Sequence, residues 1–261
     1  MATARDALLP RDLVVLGSGT ALPTAGRGSP GYLLRFGDGR GVLLDAGPGS
    51  VRAAARHGVG VDRLAGALIT HFHPDHTLDL FALIFGHKSP FLAGSRLVLV
   101  GPRGLADLVE RMKAVYGAWV ELGADRLRVC EIGAGELAVE LLGLRLAGCA
   151  VAMPHLAHSL GYRLLRRGRR HPAFSGDTGM GEGPIALGRA AITICSRPRS
   201  RIDGDGPPHP PLAGRVARRC GAPPPVVTPS SATEQLDVAA QVTPRIRWPL
   251  TIAHDGLVLE F

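Results

Sequence analysis

The run His71, Phe72, His73, Pro74, Asp75, His76 constrains this chain more than any other feature, because three imidazoles and a carboxylate fall within six residues. It follows directly on the compact apolar segment 65–70, which reads as a buried strand, and loops at strand ends are where sites tend to be built. Neutral imidazoles and carboxylates are good ligands for zinc or a similar borderline ion. On an extended chain His71 and His73 stand two apart, so their rings can converge on one ion. Pro74 then turns the chain and lets Asp75 and His76 face a second position nearby. The spacing predicts a metal centre rather than a loop of solvated histidines.

Length and composition exclude several other classes. With 261 residues the chain can bury a sizeable core, and 46% hydrophobic with 5% aromatic residues suits a globular fold. No run of 18 or more apolar residues occurs, so no membrane partner is expected. The N-terminal residues lack the order of a secretion signal, which makes the cytoplasm the expected location. Cys130, Cys149, Cys195 and Cys220 are far apart and form no CxxC pair, so they read as buried free thiols rather than a disulfide framework. The net charge of +8 would suit a polyanion, but the basic residues are nearly all Arg in an Ala-, Gly- and Pro-rich composition, with only Lys88 and Lys113 besides. Coding bias explains that charge as well as nucleic-acid binding does.

Patterning predicts mixed strands and helices in one domain over 1–261. Strands are expected at 11–16, 32–36, 41–45, 65–70, 96–100, 137–146, 161–165, 172–175, 190–195, 225–228, 250–252 and 257–261. Helices are expected at 51–57 with Ser50 as its cap, and at 77–85, 104–116, 185–188 and 212–220. Residues 196–211, rich in Arg, Asp, Gly and Pro, read as a long loop, and 166–170 as a turn between two strands. Such alternation suggests a layered α/β sandwich.

The histidine cluster, LGSGTALPT followed by GVLLDAGPGS, SLGYRL followed by FSGDTG, and LAGRVARRCG with AHDGLVLEF together resemble the metallo-β-lactamase superfamily, in its ribonuclease Z-like branch. The resemblance covers nearly the whole chain. It implies a four-layer αβ/βα sandwich of two similar halves, dividing near residue 145, with metals at one edge between them. It also implies ligands: His71 and His73 for a first ion, Asp75 and His76 for a second, and Asp177 as the bridging carboxylate. Asp45 matches an acid that supports the site from behind, a role physically suited to orienting ligand histidines. The third histidine of the first ion is His155, four residues before Ser159, with adjacent His158 as the alternative.

The departures from the family pattern cluster in the second half. Pro229 stands where a metal histidine is usual, and a proline side chain has no donor atom. In the loop 206–211 Pro207 takes the place of a further histidine, leaving His209 to fill a catalytic role by a small shift. Cys195 lacks the acidic neighbour usual in that strand and reads as core. The expected centre therefore holds one tight zinc and one weaker one, with manganese or iron as alternatives. The expected activity is metal-dependent hydrolysis of a phosphodiester or other ester, with Asp75 orienting the attacking water or accepting its proton. Two further readings are tRNA 3′ processing and a non-catalytic binding protein that has lost its second site. Arg166, Arg167, Arg169 and Arg170 would suit an RNA backbone, but the stretch from His155 to Asp177 is used up by two strands and a turn, with no room for the tRNA-gripping arm of bacterial ribonuclease Z. Nucleic acid is thus a less favoured partner than a small ester, and a homodimer is a possible assembly.

Overall fold

The apolar runs of the first half carry hydrophobic residues at consecutive positions, the pattern of strands covered on both faces. A computed structural model, which describes residues 9–164, 171–179, 181–188, 191–198, 226–228 and 251–260, forms them into β1 (Pro10–Gly17), β2 (Gly31–Phe36), β3 (Gly41–Ala46), β4 (Leu64–Leu68) and β5 (Leu97–Pro102). Leu13, Val15, Leu34, Val42 and Leu44 enter one core, while Val14, Leu16, Leu33 and Leu43 enter another on the opposite face. Strand β6 (Leu127–Ile132), whose short alternation breaks at Cys130, extends this sheet past β5, and β14 (Val258–Glu260) pairs with β1 at its far edge.

The second sheet holds β7 (Gly135–Leu141), β8 (Leu144–Ala152), β9 (Leu160–Leu164), β10 (His171–Thr178), β11 (Ala191–Pro198), β12 (Val226–Thr228) and β13 (Thr251–Ile252), hydrogen-bonded in that order. Both sheets are built alike. The first is antiparallel from β14 to β3 and parallel from β3 to β6. The second is antiparallel from β7 to β10 and parallel from β10 to β13. The chain crosses from one sheet to the other between Ile132 and Gly135, earlier than the division near 145 read from the sequence.

Helices cover the outer faces. Ala54 of α1 (Ser50–Arg56), Leu80, Leu83 and Ile84 of α3 (Asp79–His87), and Leu105 and Val109 of α4 (Leu105–Tyr116) pack on the first sheet. Leu187 of α5 (Glu182–Gly188) packs with Met153 and Ala173 on the second. The inner faces of the two sheets share one core, where Tyr32 and Phe174 meet with ring centroids 4.7 Å apart. The result is the expected four-layer αβ/βα sandwich. The longest described helix has 12 residues, and among the described residues no helix is long and apolar enough to cross a membrane.

Local expectations are corrected at several points. The predicted strand 137–146 is a hairpin, in which Leu142 (φ 54°) and Gly143 (φ 87°) make the two-residue turn between β7 and β8. Two consecutive left-handed residues match the twist of the flanking strands, a preference that the pair Leu-Gly signals poorly. The cap of α1 is not Ser50, which lies inside the helix; Gly49 holds the cap position, and the Asp79 carboxylate accepts the Val51 N–H at 2.8 Å from 28 residues away. The helix expected at 77–85 starts earlier, with a short turn α2 (Pro74–Thr77) running through Leu78 in helical conformation into α3. Cys130 and Cys149 are free but only half-buried. The helix expected at 212–220, the turn 166–170 and Cys220 lie outside the described residues, as do the side chain of Cys195 and most of the loop 196–211.

The closing turn explains why motifs at opposite ends of the chain go together. The Asp255 carboxylate accepts the Ser18 N–H at 2.7 Å and the Gly28 N–H at 2.8 Å, tying both ends of the loop after β1. Arg27 adds bonds to the Ser18 hydroxyl and the Ala253 carbonyl.

Candidate metal centre

Every element that reaches the site ends there. Strand β3 delivers Asp45, β4 leads through Ile69 and Thr70 into His71, and α2 begins within the histidine run. From the other sheet, the β8–β9 connection carries His155 and the end of β10 carries Asp177. Gly47 lets the first half close, since a Cβ there would stand 2.1 Å from the Asp75 carbonyl oxygen.

Three imidazole nitrogens converge. His71 Nε2 lies 3.0 Å from His73 Nδ1, and His155 Nε2 lies 3.2 Å from the same atom. Zinc–nitrogen bonds of about 2.0–2.1 Å at tetrahedral angles place neighbouring ligand nitrogens about 3.3 Å apart. The spacing therefore matches three ligands around one ion, and an Asp177 oxygen completes the cluster. His158, the alternative third histidine, instead stacks on Phe72, with ring centroids 4.8 Å apart. His71 and His73 point one way from the loop, so Phe72 between them points away, and His158 goes with it.

A second position adjoins the first. His76 Nε2 is fully buried and has no hydrogen-bond partner, although Asp177 Oδ1 lies 3.4 Å away and Asp75 Oδ2 3.7 Å away. The other Asp177 oxygen, Oδ2, faces His155 Nε2 at 3.9 Å. One carboxylate thus turns an oxygen to each position. A buried imidazole nitrogen left unpaired is costly, and a cation between it and two carboxylates would satisfy all three groups. The donor set fits a divalent metal at both positions.

Asp45 stands behind these groups, close enough to His71 and His76 to form a second cluster of donor atoms with them, but its oxygens are engaged by hydrogen bonds. Its Oδ1 accepts the Thr70 N–H at 2.8 Å, and its Oδ2 accepts the Thr70 hydroxyl at 2.8 Å and His76 Nδ1–H at 2.7 Å. Asp45 adopts φ 55°, a left-handed conformation that Asp tolerates better than most residues. Thr70 is the partner that sequence reading missed. Its single hydroxyl hydrogen goes to Asp45, so at 2.9 Å from His71 Nδ1 it must accept. Both His71 and His76 then carry hydrogen on Nδ1 and turn Nε2 to the site. Gly176, at φ 59°, lets β10 close on Thr70, since a Cβ there would come within 2.5 Å of the Thr70 hydroxyl oxygen. Nothing near Thr70 in the sequence marks it; only the loop's close approach to Asp45 does.

The electrostatics of the metal-free site are divided. Burial, reinforced by the charge on His76, lowers His71 to about 2, so its ring is neutral and its lone pair is available. Burial also works against a charge on His76, but the Asp45 carboxylate, with Asp177, outweighs it and raises His76 to about 10. Burial would raise Asp177, yet the His76 ring facing its Oδ1 at 3.4 Å and the charge on that ring hold it well below the usual carboxylate range. A metal must therefore displace a proton from His76 Nε2. Titrating metal into metal-free protein at pH 8, in buffers of different ionisation enthalpy, should show release of about one proton per second-position ion. Uptake without proton release would mean that His76 is neutral or does not bind. The sign for stability follows. The His76 contribution to the metal-free fold is fully present below its unfolded value near 6.5 and is lost as pH rises through about 10.

His209 and Pro229 lie outside the described residues.

Comparison with known proteins gives the family and the fold. The metallo-beta-lactamase superfamily profile matches residues 25–236. Ribonuclease Z of Mycolicibacterium gilvum is 39% identical over 107 residues, which is 40% of this chain and 37% of that protein. The matched part thus spans little more than a third of that relative's length. The metallo-beta-lactamase fold protein YhfI from Bacillus subtilis superimposes with a TM-score of 0.77 at 18% identity, over 97% of this chain and 99% of that one. A diphosphatase of the PhnP family superimposes with a TM-score of 0.69 at 21% identity, over 97% and 98%. With its sandwich, its histidine run and the match over most of its length, the chain belongs to the metallo-beta-lactamase superfamily.

Proposed function

We propose that this protein is a metal-dependent hydrolase that cleaves a phosphodiester or related ester. The observation that carries the reading is the convergence of His71, His73 and His155 on one point, with Asp177 shared towards the buried His76 nitrogen, which has no hydrogen-bond partner. Zinc suits this nitrogen-rich donor set best, with manganese or iron as alternatives. A divalent metal held there would supply a water of lowered pKa and polarise the oxygen under attack. The chain's own residues do the rest. Asp45 and Thr70 hold the imidazole tautomers, Asp177 separates the two positions, and partly exposed Asp75 lies where it can orient a water or take its proton. His209 stays a candidate for a further catalytic group.

Phosphoryl substrates are favoured because the relatives found by sequence are ribonucleases Z and a PhnP-family diphosphatase shares the fold. Identity to ribonuclease Z also keeps tRNA 3′ processing open as a second reading, although β9 and the start of β10 occupy the stretch where its arm would emerge. Asp75, His76 and Asp177 remain at the second position, and three protein ligands with water can hold zinc. One tight ion and one weaker one are therefore expected.

Titrating metal-free protein with zinc, while following both binding and hydrolysis of bis(p-nitrophenyl) phosphate, tests this. Hydrolysis should rise with the second, weaker ion. Two equally tight ions would show that another residue replaces the histidine missing at Pro229. Tight metal without hydrolysis of any ester would favour a binding protein, and faster cleavage of a precursor tRNA would favour the second reading.

A further inference from the structure

The centre is assembled from two sheets, and no covalent neighbour sets the gap between them. His71 hangs from β4 of the first sheet, while His155 and Asp177 belong to the second. Ligand bonds of about 2 Å leave little tolerance for error in that gap.

Two hydrogen bonds span the sheets directly beneath the histidine loop. The Tyr162 hydroxyl donates to the Ile69 carbonyl at 2.5 Å, and the Leu160 N–H donates to the Thr70 carbonyl at 2.9 Å. Ile69 and Thr70 are the last two residues before His71. Ile69 is itself anchored in the first sheet, its N–H bonded to the Val100 carbonyl at 2.8 Å. Strand β9 lies between the two strands that matter on the other side. Tyr162 is in register with Ala150 of β8, which leads to His155, and with Phe174 of β10, which leads to Asp177. The side chain is fully buried. Burial, with the Asp45 carboxylate nearby, holds its phenol well above the ordinary value, so the hydroxyl keeps its proton and acts as a donor.

We propose that Tyr162 is a positioning residue whose hydroxyl, through the Ile69 carbonyl, sets the distance between the His71–His73 loop and the strands that carry His155 and Asp177. This rests on the metal-centre reading above. The Tyr162 hydroxyl bonds the backbone that leads into the ligands and acts through it. Its ring also packs in the inter-sheet core, but the hydroxyl can be removed without removing the ring.

The test compares Tyr162→Phe with Leu34→Ala, a lesion in the same core on a strand that pairs with β1 and β3 and carries no proposed ligand. Zinc affinity is measured by chelator competition, the visible spectrum of the cobalt-substituted protein reports ligand geometry, and urea denaturation of the metal-free forms reports stability. Tyr162→Phe should weaken zinc binding about 10–100-fold, the usual range for groups that orient ligands from behind, and should shift the cobalt spectrum. Leu34→Ala should lower stability at least as much and leave affinity and spectrum unchanged. Wild-type affinity and spectrum in Tyr162→Phe would overturn the inference. So would equal weakening in both variants, which would reduce Tyr162 to a core residue. If the unaltered protein took up no metal, the metal-centre reading would fail and this inference with it. Tight wild-type binding beside an unaffected Tyr162→Phe sinks the inference alone.

Discussion

His73→Ala is expected to strip the centre of its tight metal and abolish hydrolysis while leaving the fold in place. His73 Nδ1 is the nitrogen closest to both His71 and His155, so it is the common vertex of the ligand triangle. Structural zinc sites bind with about 10–16 kcal/mol, which shared over four ligands gives roughly 2.5–4 kcal/mol each. Affinity should therefore fall by about two to three orders of magnitude. Hydrolysis should fall with it, because the activated water depends on the ion. Stability of the metal-free protein should change little, since His73 is only half-buried and lies outside both cores. Elemental analysis after dialysis, with thermal unfolding of the metal-free forms, reads both effects. Full activity in His73→Ala would rule out the metal mechanism.

Gly176→Ala should produce the second large effect, although Gly176 supplies no ligand atom. Its φ of 59° disfavours any side chain by roughly 1–2 kcal/mol. The added Cβ would also drive into Thr70, meeting Oγ1 at 2.5 Å, Cβ at 2.7 Å and Cγ2 at 2.8 Å. Thr70 cannot retreat without breaking its bonds to Asp45 and His71. Metal affinity should therefore fall about 10–100-fold along with stability. Gly39→Ala is the matched control. Gly39 has φ 84° with open space around its Cβ position, so that variant carries the backbone penalty alone. Gly39→Ala should be less stable yet bind metal normally. Normal binding by Gly176→Ala would mean that the contact of β10 with Thr70 does not hold the site together.

Much of this was legible in the residues themselves. The density of donors in His71–His76 pointed to a metal before any fold was considered, because ligands two and three apart on one loop need no distant help to approach each other. Consecutive apolar positions in β1 to β5 marked strands buried on both faces, and the resemblance brought His155 and Asp177 from far along the chain to the same centre. Short-range pattern failed where a distant group decides the local outcome. The first turn of α1 bonds a distant carboxylate, Asp79, and the alternation of β6 over Leu127-Arg128-Val129 breaks at Cys130, so its strand is fixed by its pairing with β5.

What tertiary structure alone decided is which of several equivalent groups faces the centre. His155 and His158 are three residues apart and chemically identical, and only the closure of the β8–β9 turn sends one to His73 and the other to Phe72. Thr70 and Tyr162 are ordinary strand residues by sequence. Their roles exist because two sheets meet at Ile69 and Thr70, and register across that junction depends on the packing of both inner faces at once. Donor chemistry is a property of a residue and can be read from its name, whereas the direction in which a lone pair points is a property of everything packed around it.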